Sequence, residues 1–130
     1  MLRIIIATIC GYLIGLERKK HDKSGGCRTM ALMCLSSCIV AIISTELVKI
    51  YSCDILRLMQ GCLQGVGFIG AGIVWHYKGA TEGLTTASIL FTVILIGFLI
   101  GLNFWYYAVI TTVLFYILGE LKYWLNEGDK

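Results

Sequence analysis

The chain contains no proline, only two histidines and few charged residues. Without proline, none of its helices can carry a proline kink. Charged residues make up 15% of the 130 positions, whereas hydrophobic residues make up 58% and the mean hydropathy is +0.81. A soluble domain of this size could not bury so much apolar surface, so the composition predicts an integral membrane protein. The length suits a single domain.

Residues that carry enzyme chemistry are also scarce. The chain has no glycine-rich phosphate loop with lysine, no paired catalytic carboxylates, and no partner residue for either histidine. Cys34 and Cys38 lie one helical turn apart, but no histidine or carboxylate accompanies them as a zinc site would require. We therefore expect a protein that is not an enzyme, with no cofactor, no bound metal and no nucleic-acid partner.

Long apolar runs predict an all-α fold, a polytopic transmembrane bundle of about five spans within residues 1–125, followed by a polar tail at 126–130. The predicted spans are Leu2–Leu16, Thr29–Ile50, Ile55–Tyr77, Leu84–Leu102 and Phe104–Leu121. Small residues four positions apart favour close helix packing in membranes. Such glycine pairs lie on the first span at Gly11 and Gly15 and on the fourth at Gly97 and Gly101.

Basic residues concentrate on one side of these spans. Eight of the eleven fall on the side of the charged Glu17–Arg28 loop: Arg18, Lys19, Lys20, Lys23, Arg28, Lys78, Lys122 and Lys130. The other three are Arg3, Lys49 and Arg57. The positive-inside rule then predicts a cytoplasmic loop, an N-terminus outside and a C-terminus in the cytoplasm.

The third span is unusually rich in glycine, with five glycines in the thirteen residues from Gln60 to Gly72. Helical periodicity groups Asp54, Arg57, Gly61, Gly65 and Gly72 on one face, and Gly67 and Gly70 on the other. Glycine on two sides predicts a central helix with close neighbours on both flanks. By the same argument Gly65→Leu should disrupt assembly more than Leu63→Ala. The pattern does not say whether those neighbours belong to one chain or to two copies.

Polar residues fall into two layers, and their alternative role is to cap helices or anchor them at the interface. Asp54 and Arg57, at i and i+3, form the outer pair. The cytoplasmic cluster comprises Glu17, Arg18, Arg28, Thr29, Glu82, Thr85 and Thr86. Within it, Arg28 and Glu82 could bridge two loops, and the free N–H groups beside Thr85 and Thr86 could bind an anion.

Three further polar residues lie on the second and third spans. Gln60 and Gln64 are the strong polar side chains deep in the third span. Glu46, near the outer end of the second span, is expected to pair with Lys49 three residues later. A cation pathway normally shows carboxylates at the membrane midplane. Gln60 and Gln64 are amides, and Glu46 lies near the outer surface, so none of the three meets this requirement.

In their order along the chain, these landmarks resemble the MgtC/SapB family of bacterial inner-membrane proteins. The matching segments are GLER at 15–18, GCRTMAL at 26–32, DILR at 54–57 with QG at 60–61, GVGFIGAG at 65–72 and GLTTA at 83–87. Cys27 departs from the pattern, which usually has Leu or a similar apolar residue there. The resemblance implies a polytopic inner-membrane domain with its N-terminus outside. It also implies links to magnesium limitation, acid resistance, intracellular survival and virulence.

The resemblance further implies a regulatory role through other membrane proteins. Many members carry a soluble C-terminal domain, which we expect to be absent because the chain stops at Lys130. The expected partners are the lipid bilayer and other membrane proteins, and self-association stays open. The competing hypothesis is a transporter or channel for Mg²⁺ or another ion, which the lack of interior carboxylates disfavours. A third is lipid or anion binding at Thr85 and Thr86.

Overall fold

The computed structural model describes residues 1–20, 25–51, 54–77 and 80–127. Within these ranges the helices are α1 (Leu2–Lys20), α2 (Cys27–Ile50), α3 (Ile55–Ile73), α4 (Leu84–Gly101) and α5 (Trp105–Glu127). The strands β1 (Trp75–Tyr77) and β2 (Ala80–Glu82) join α3 to α4. The predicted all-α fold is confirmed. The loop residues 21–24 and the tail residues 128–130 lie outside the described ranges.

Two of the described helices, α2 and α4, are long and apolar enough to cross a membrane, with mean hydropathies of 2.1 and 2.3. The apolar part of α5, Trp105–Gly119, is shorter. α1 ends in three basic residues, and the glycines and glutamines of α3 lower its mean hydropathy. The number of helices that cross the bilayer therefore stays a prediction.

The end of the third predicted span differs from the structure. It was expected to continue to Tyr77, but α3 ends at Ile73 because Val74 is extended, with φ −80° and ψ 121°. Two short antiparallel strands follow, with Trp75 opposite Glu82. Aromatic residues favour strands over a further helical turn here. Gly83 then turns the chain into α4 at φ +83°, a conformation that other residues rarely adopt.

The centre of the bundle is formed by α2, which packs against α1 and α4, together with α4 itself. The small-residue surface belongs to α2. Its buried residues are mostly small: Met30, Ala31, Cys34, Ser37, Cys38, Ala41 and Ser44. Glycines on both neighbours face this small-residue surface. A Cβ atom built on Gly97 would collide with Ser37, and one built on Gly101 would collide with Ala41. The close approach of α4 to α2 thus depends on glycine, in agreement with the predicted spacing.

The first helix approaches α2 in the same way. A Cβ on Gly11 would lie 2.6 Å from the Met30 carbonyl oxygen, and one on Gly15 would collide with the Cys27 backbone. Beyond these contacts, larger apolar side chains fill the main core, among them Ile14, Leu90, Ile96 and Ile100. Because α4 contacts α1, α2, α3 and α5, it connects every part of the described bundle.

The expectation that α3 is the central helix is wrong for the single chain. Val66 is its one buried residue, and no atom of another described helix or strand lies within 4 Å of a Cβ built on Gly61, Gly65, Gly67 or Gly72. Gly70 alone makes an ordinary contact, 3.5 Å from Ala87. Glycine has no side chain to bury, so these positions add little apolar area to a core. The central helices are instead α4, which contacts all four others, and α2, whose small residues face glycines of α1 and α4.

The expected order of the two α3 substitutions is also reversed within one chain. The site at Gly65 has room for a side chain. Leu63, by contrast, packs against the second core, in which Ala41, Ile94 and Phe98 are buried with Val66. Leu63→Ala should therefore cost the isolated chain more stability than Gly65→Leu.

Candidate functional site

One face of α3 points away from the rest of the bundle. We define the α3 outer face by its exposed residues Arg57, Gln60, Gly61, Gln64, Gly65, Phe68 and Gly72. The opposite face packs on the second core through Met59, Cys62 and Leu63. Phe68 is the large apolar side chain of this face and is 84% exposed. The predicted glycine grouping is therefore one face of the helix, but it contacts nothing within the described part of the chain.

The predicted outer pair does not form. Asp54 Oδ1 accepts a hydrogen bond from the Leu56 backbone N–H at 2.9 Å and caps α3. Both Asp54 and Arg57 are described and exposed, and no ion pair within 4 Å joins them. Capping explains the difference, because the carboxylate is drawn to the free N–H groups at the helix start. Glu46 and Lys49 do pair as expected, at 2.8 Å on the surface.

At the other end of the bundle, Arg18 links α1 to the first turn of α4. Arg18 is 3% exposed, and its Nη2 donates to Thr86 Oγ1 at 2.7 Å. The sequence placed both residues in one cluster but did not pair them. Thr29, Arg28 and Glu82 are exposed, and no ion pair joins the described Arg28 and Glu82 side chains. The predicted bridge between these loops is therefore wrong.

A cleft of about 300 Å³ opens beside Arg18, between α1, α4 and α5. We call it the Glu17 cleft. Its lining residues are Glu17, Arg18, Thr85, Ser88, Ile89, Thr92, Thr111, Leu114, Phe115, Leu118 and Gly119. The Oε2 atom of Glu17 is buried there and has no hydrogen-bond partner among the described residues. The sequence indicated a polar cluster at this end but not the contribution of α5.

The interior between the two ends holds few polar groups. The buried polar residues of the described chain are Arg18, Ser37, Ser44 and Thr86, and none is a carboxylate. Both serines donate to carbonyls of their own helix, Ser37 to Met33 at 3.0 Å and Ser44 to Val40 at 2.6 Å. In the same ranges no group of three or more His, Cys, Asp or Glu residues could hold a metal ion.

Comparison with known proteins identifies the family. A model of the MgtC family matches residues 4–127, nearly the whole chain. The chain belongs to the MgtC family. This confirms the resemblance drawn from the sequence motifs and makes the chain a membrane protein of that family.

Named relatives support the same assignment. The chain is 33% identical to SapB of Bacillus subtilis over 96% of its own length and 57% of the relative's. It is 31% identical to MgtC of Salmonella typhimurium, over 88% of this chain and 48% of the relative. It is 30% identical to YhiD of Escherichia coli K12, named as a proposed magnesium transporter, over 99% of this chain and 65% of the relative.

The chain spans about half the length of the curated relatives it matches. No solved structure matches it. Among these names, that of YhiD refers to magnesium transport.

Proposed function

We propose that this chain is a regulatory membrane protein, not an enzyme, that binds other membrane proteins through the α3 outer face. In this proposal it serves adaptation to magnesium limitation, acid stress or intracellular survival. The observation that carries the proposal is a helix face with glycines and two glutamines that contacts nothing in its own bundle. Its occupant is a transmembrane helix of another protein.

Two features of this face suit helix association in lipid. Gly61 and Gly65 are four residues apart, so a partner backbone can approach closely. Gln60 and Gln64 are exposed beside them. An amide in hydrocarbon lacks hydrogen-bond partners, and a partner helix that supplies them gains roughly 1 kcal/mol per bond. Close backbone packing at the glycines and hydrogen bonds from the glutamines would thus both stabilise a partner helix on the α3 outer face.

The proposal includes five spans in the bacterial inner membrane, with the N-terminus outside and the C-terminus in the cytoplasm. The distribution of basic residues supports this orientation. Arg18, Lys19 and Lys20 end α1 at the same end of the bundle as Arg28. Arg3 lies at the opposite end, where its Nη1 donates to the Gly101 carbonyl at the end of α4. Anionic lipid headgroups on the cytoplasmic side would attract the larger basic group.

A site-specific cross-link tests the proposed binding face. A photoreactive residue replaces Phe68, which is 84% exposed on the outer face, or Val109 of α5, which is 62% exposed, as the control. We expect adducts with another membrane protein from position 68 and not from position 109. Equal adduct yields at both positions would refute binding through α3. An adduct of twice 14.4 kDa would instead assign the face to self-association.

Ion transport is the second candidate, because the name of YhiD proposes magnesium transport for that relative. The absence of carboxylates from the described buried core weighs against a pathway through one chain. Purified protein in liposomes separates the two functions. We expect no protein-dependent uptake of Mg²⁺ or protons. Uptake that the Asp54→Ala variant abolishes would overturn the regulatory proposal.

A further inference from the structure

Three hydroxyls in the polar wall of the Glu17 cleft already donate their protons within their own helices. Ser88 donates its hydroxyl proton to the Leu84 carbonyl at 3.0 Å, and Thr92 donates to the Ser88 carbonyl at 3.0 Å. On α5, Thr111 donates to the Tyr107 carbonyl at 2.8 Å. A hydroxyl has one proton and two lone pairs, so these side chains have only acceptor capacity left for a ligand.

Glu17 adds a negative charge to the same wall. Its Oε2 atom is buried without a hydrogen-bond partner among the described residues. Glu17 as a whole is half-buried, but a carboxylate oxygen that has left water is costly unless a donor or a cation reaches it. Gly119 of α5 leaves space beside it, since a Cβ built there would lie 3.5 Å from Glu17 Oε1. The cleft therefore suits a ligand that is positively charged and rich in N–H donors.

The remaining walls indicate that this ligand is a lipid. Ile89, Leu114, Phe115 and Leu118 give the cleft an apolar lining. Leu114 and Leu118 are 50% and 68% exposed, so apolar surface continues outward from the cleft. Arg18, which donates to Thr86, also lines the cleft, so a positive charge lies near the negative charge of Glu17, an arrangement that suits a zwitterionic headgroup.

We propose that the Glu17 cleft binds the headgroup of an ethanolamine phospholipid, with the ammonium at Glu17 and the hydroxyls of α4 and α5. This assignment replaces the anion site expected from the start of α4. It is independent of the α3 outer face, because the lining of the cleft contains no α3 residue. A volume of about 300 Å³ accommodates a headgroup and not a whole lipid.

Native mass spectrometry of the full chain in detergent tests this proposal. The probes are an ethanolamine phospholipid and a choline phospholipid with identical acyl chains. Choline keeps the positive charge but has no N–H donor. We expect the ethanolamine lipid to bind about tenfold more tightly, as charge-assisted hydrogen bonds would give. Equal binding of the two lipids would overturn the proposal.

Variants localise the effect to the cleft. Glu17→Gln should abolish the preference for ethanolamine, whereas Glu46→Gln, the same change on an exposed residue at the other end, should keep it. Thr92→Val removes one acceptor at similar shape and should reduce the preference about threefold. Melting curves establish that each variant is folded. A preference that survives both Glu17→Gln and Thr92→Val, or displacement by free ethanolamine at lipid concentration, would contradict a lipid site at Glu17.

Discussion

At the scale of single residues, the contact between Arg18 and Thr86 joins two segments 68 positions apart. Because Arg18 is only 3% exposed, its guanidinium has lost most of its contact with water, and each of its hydrogen bonds contributes more to stability than a surface bond would. The neighbouring Thr85 is exposed. The two adjacent threonines therefore differ in role: Thr86 links α4 to α1, whereas Thr85 lines the Glu17 cleft.

This difference predicts the outcome of a matched pair of substitutions. Thr86→Val removes the acceptor of a buried charge-assisted bond and should lower the free energy of unfolding by about 1–3 kcal/mol. Thr85→Val should change it by less than about 0.5 kcal/mol. Thermal melting of both variants in detergent measures the two effects. Equal shifts would show that the Arg18 contact contributes nothing.

A second matched pair of substitutions tests the turn that leads into α4. Gly83 has φ +83°, and a side chain there would collide with the Ile73 carbonyl. Gly26, the N-cap of α2, has φ −71°, and no atom of the described residues lies within 4 Å of a Cβ built there. Gly83→Ala should therefore destabilise the chain by about 1 kcal/mol or more, whereas Gly26→Ala, which only replaces glycine at an N-cap with ordinary φ, should cost less. A melting temperature unchanged by Gly83→Ala would contradict the described turn.

At the scale of helices, the sequence predicts where most elements lie but not which one is central. The glycine pairs on α1 and α4 could be predicted from spacing, because close approach needs small residues four apart. The role of α2 was missed, although Cys34, Ser37, Cys38 and Ala41 repeat small residues at helical spacing. Glycine on α3 indicated contact without indicating the partner. Whether a glycine is in contact depends on the surface of the helix opposite it, and the sequence of a single helix does not specify that surface.

The two kinds of glycine should respond differently to the same substitution. Gly97→Leu would force a side chain into Ser37 and the Cys34 carbonyl, so it should prevent folding or cost several kcal/mol. Gly65→Leu enters open space and should leave the fold intact. The two variants are compared by their yield of monodisperse protein and by their melting temperatures. Loss of folded protein for both variants would mean that α3 packs within the chain after all.

At the scale of the whole molecule, membership of the MgtC family could be predicted from motifs spread over the first four helices. The function of the candidate sites could not, because it depends on side chains brought together from distant segments. Glu17 on α1, Thr92 on α4 and Thr111 on α5 form one cleft only when those three helices pack. The outer pair and the loop bridge failed for a related reason, since helix capping and exposure decide whether nearby charges meet.

The molecule as a whole then has two separate surfaces. The α3 outer face is open on one side of the bundle, and the Glu17 cleft is formed by helices other than α3. A regulator that is held in the bilayer by a lipid and presents a glycine face to another protein would use both. Substitutions in one surface should therefore leave the other unaffected, because sites without shared contacts behave additively.

The most direct test of this account is the cross-link yield from position 68 in native membranes, measured in the otherwise wild-type chain and in Gly65→Leu. Leucine at position 65 would fill the space reserved for a partner backbone without touching the chain's own core. We predict that the adduct with another membrane protein disappears while the melting temperature stays within about 2 °C. An adduct that persists in Gly65→Leu at full yield would contradict binding through the α3 outer face.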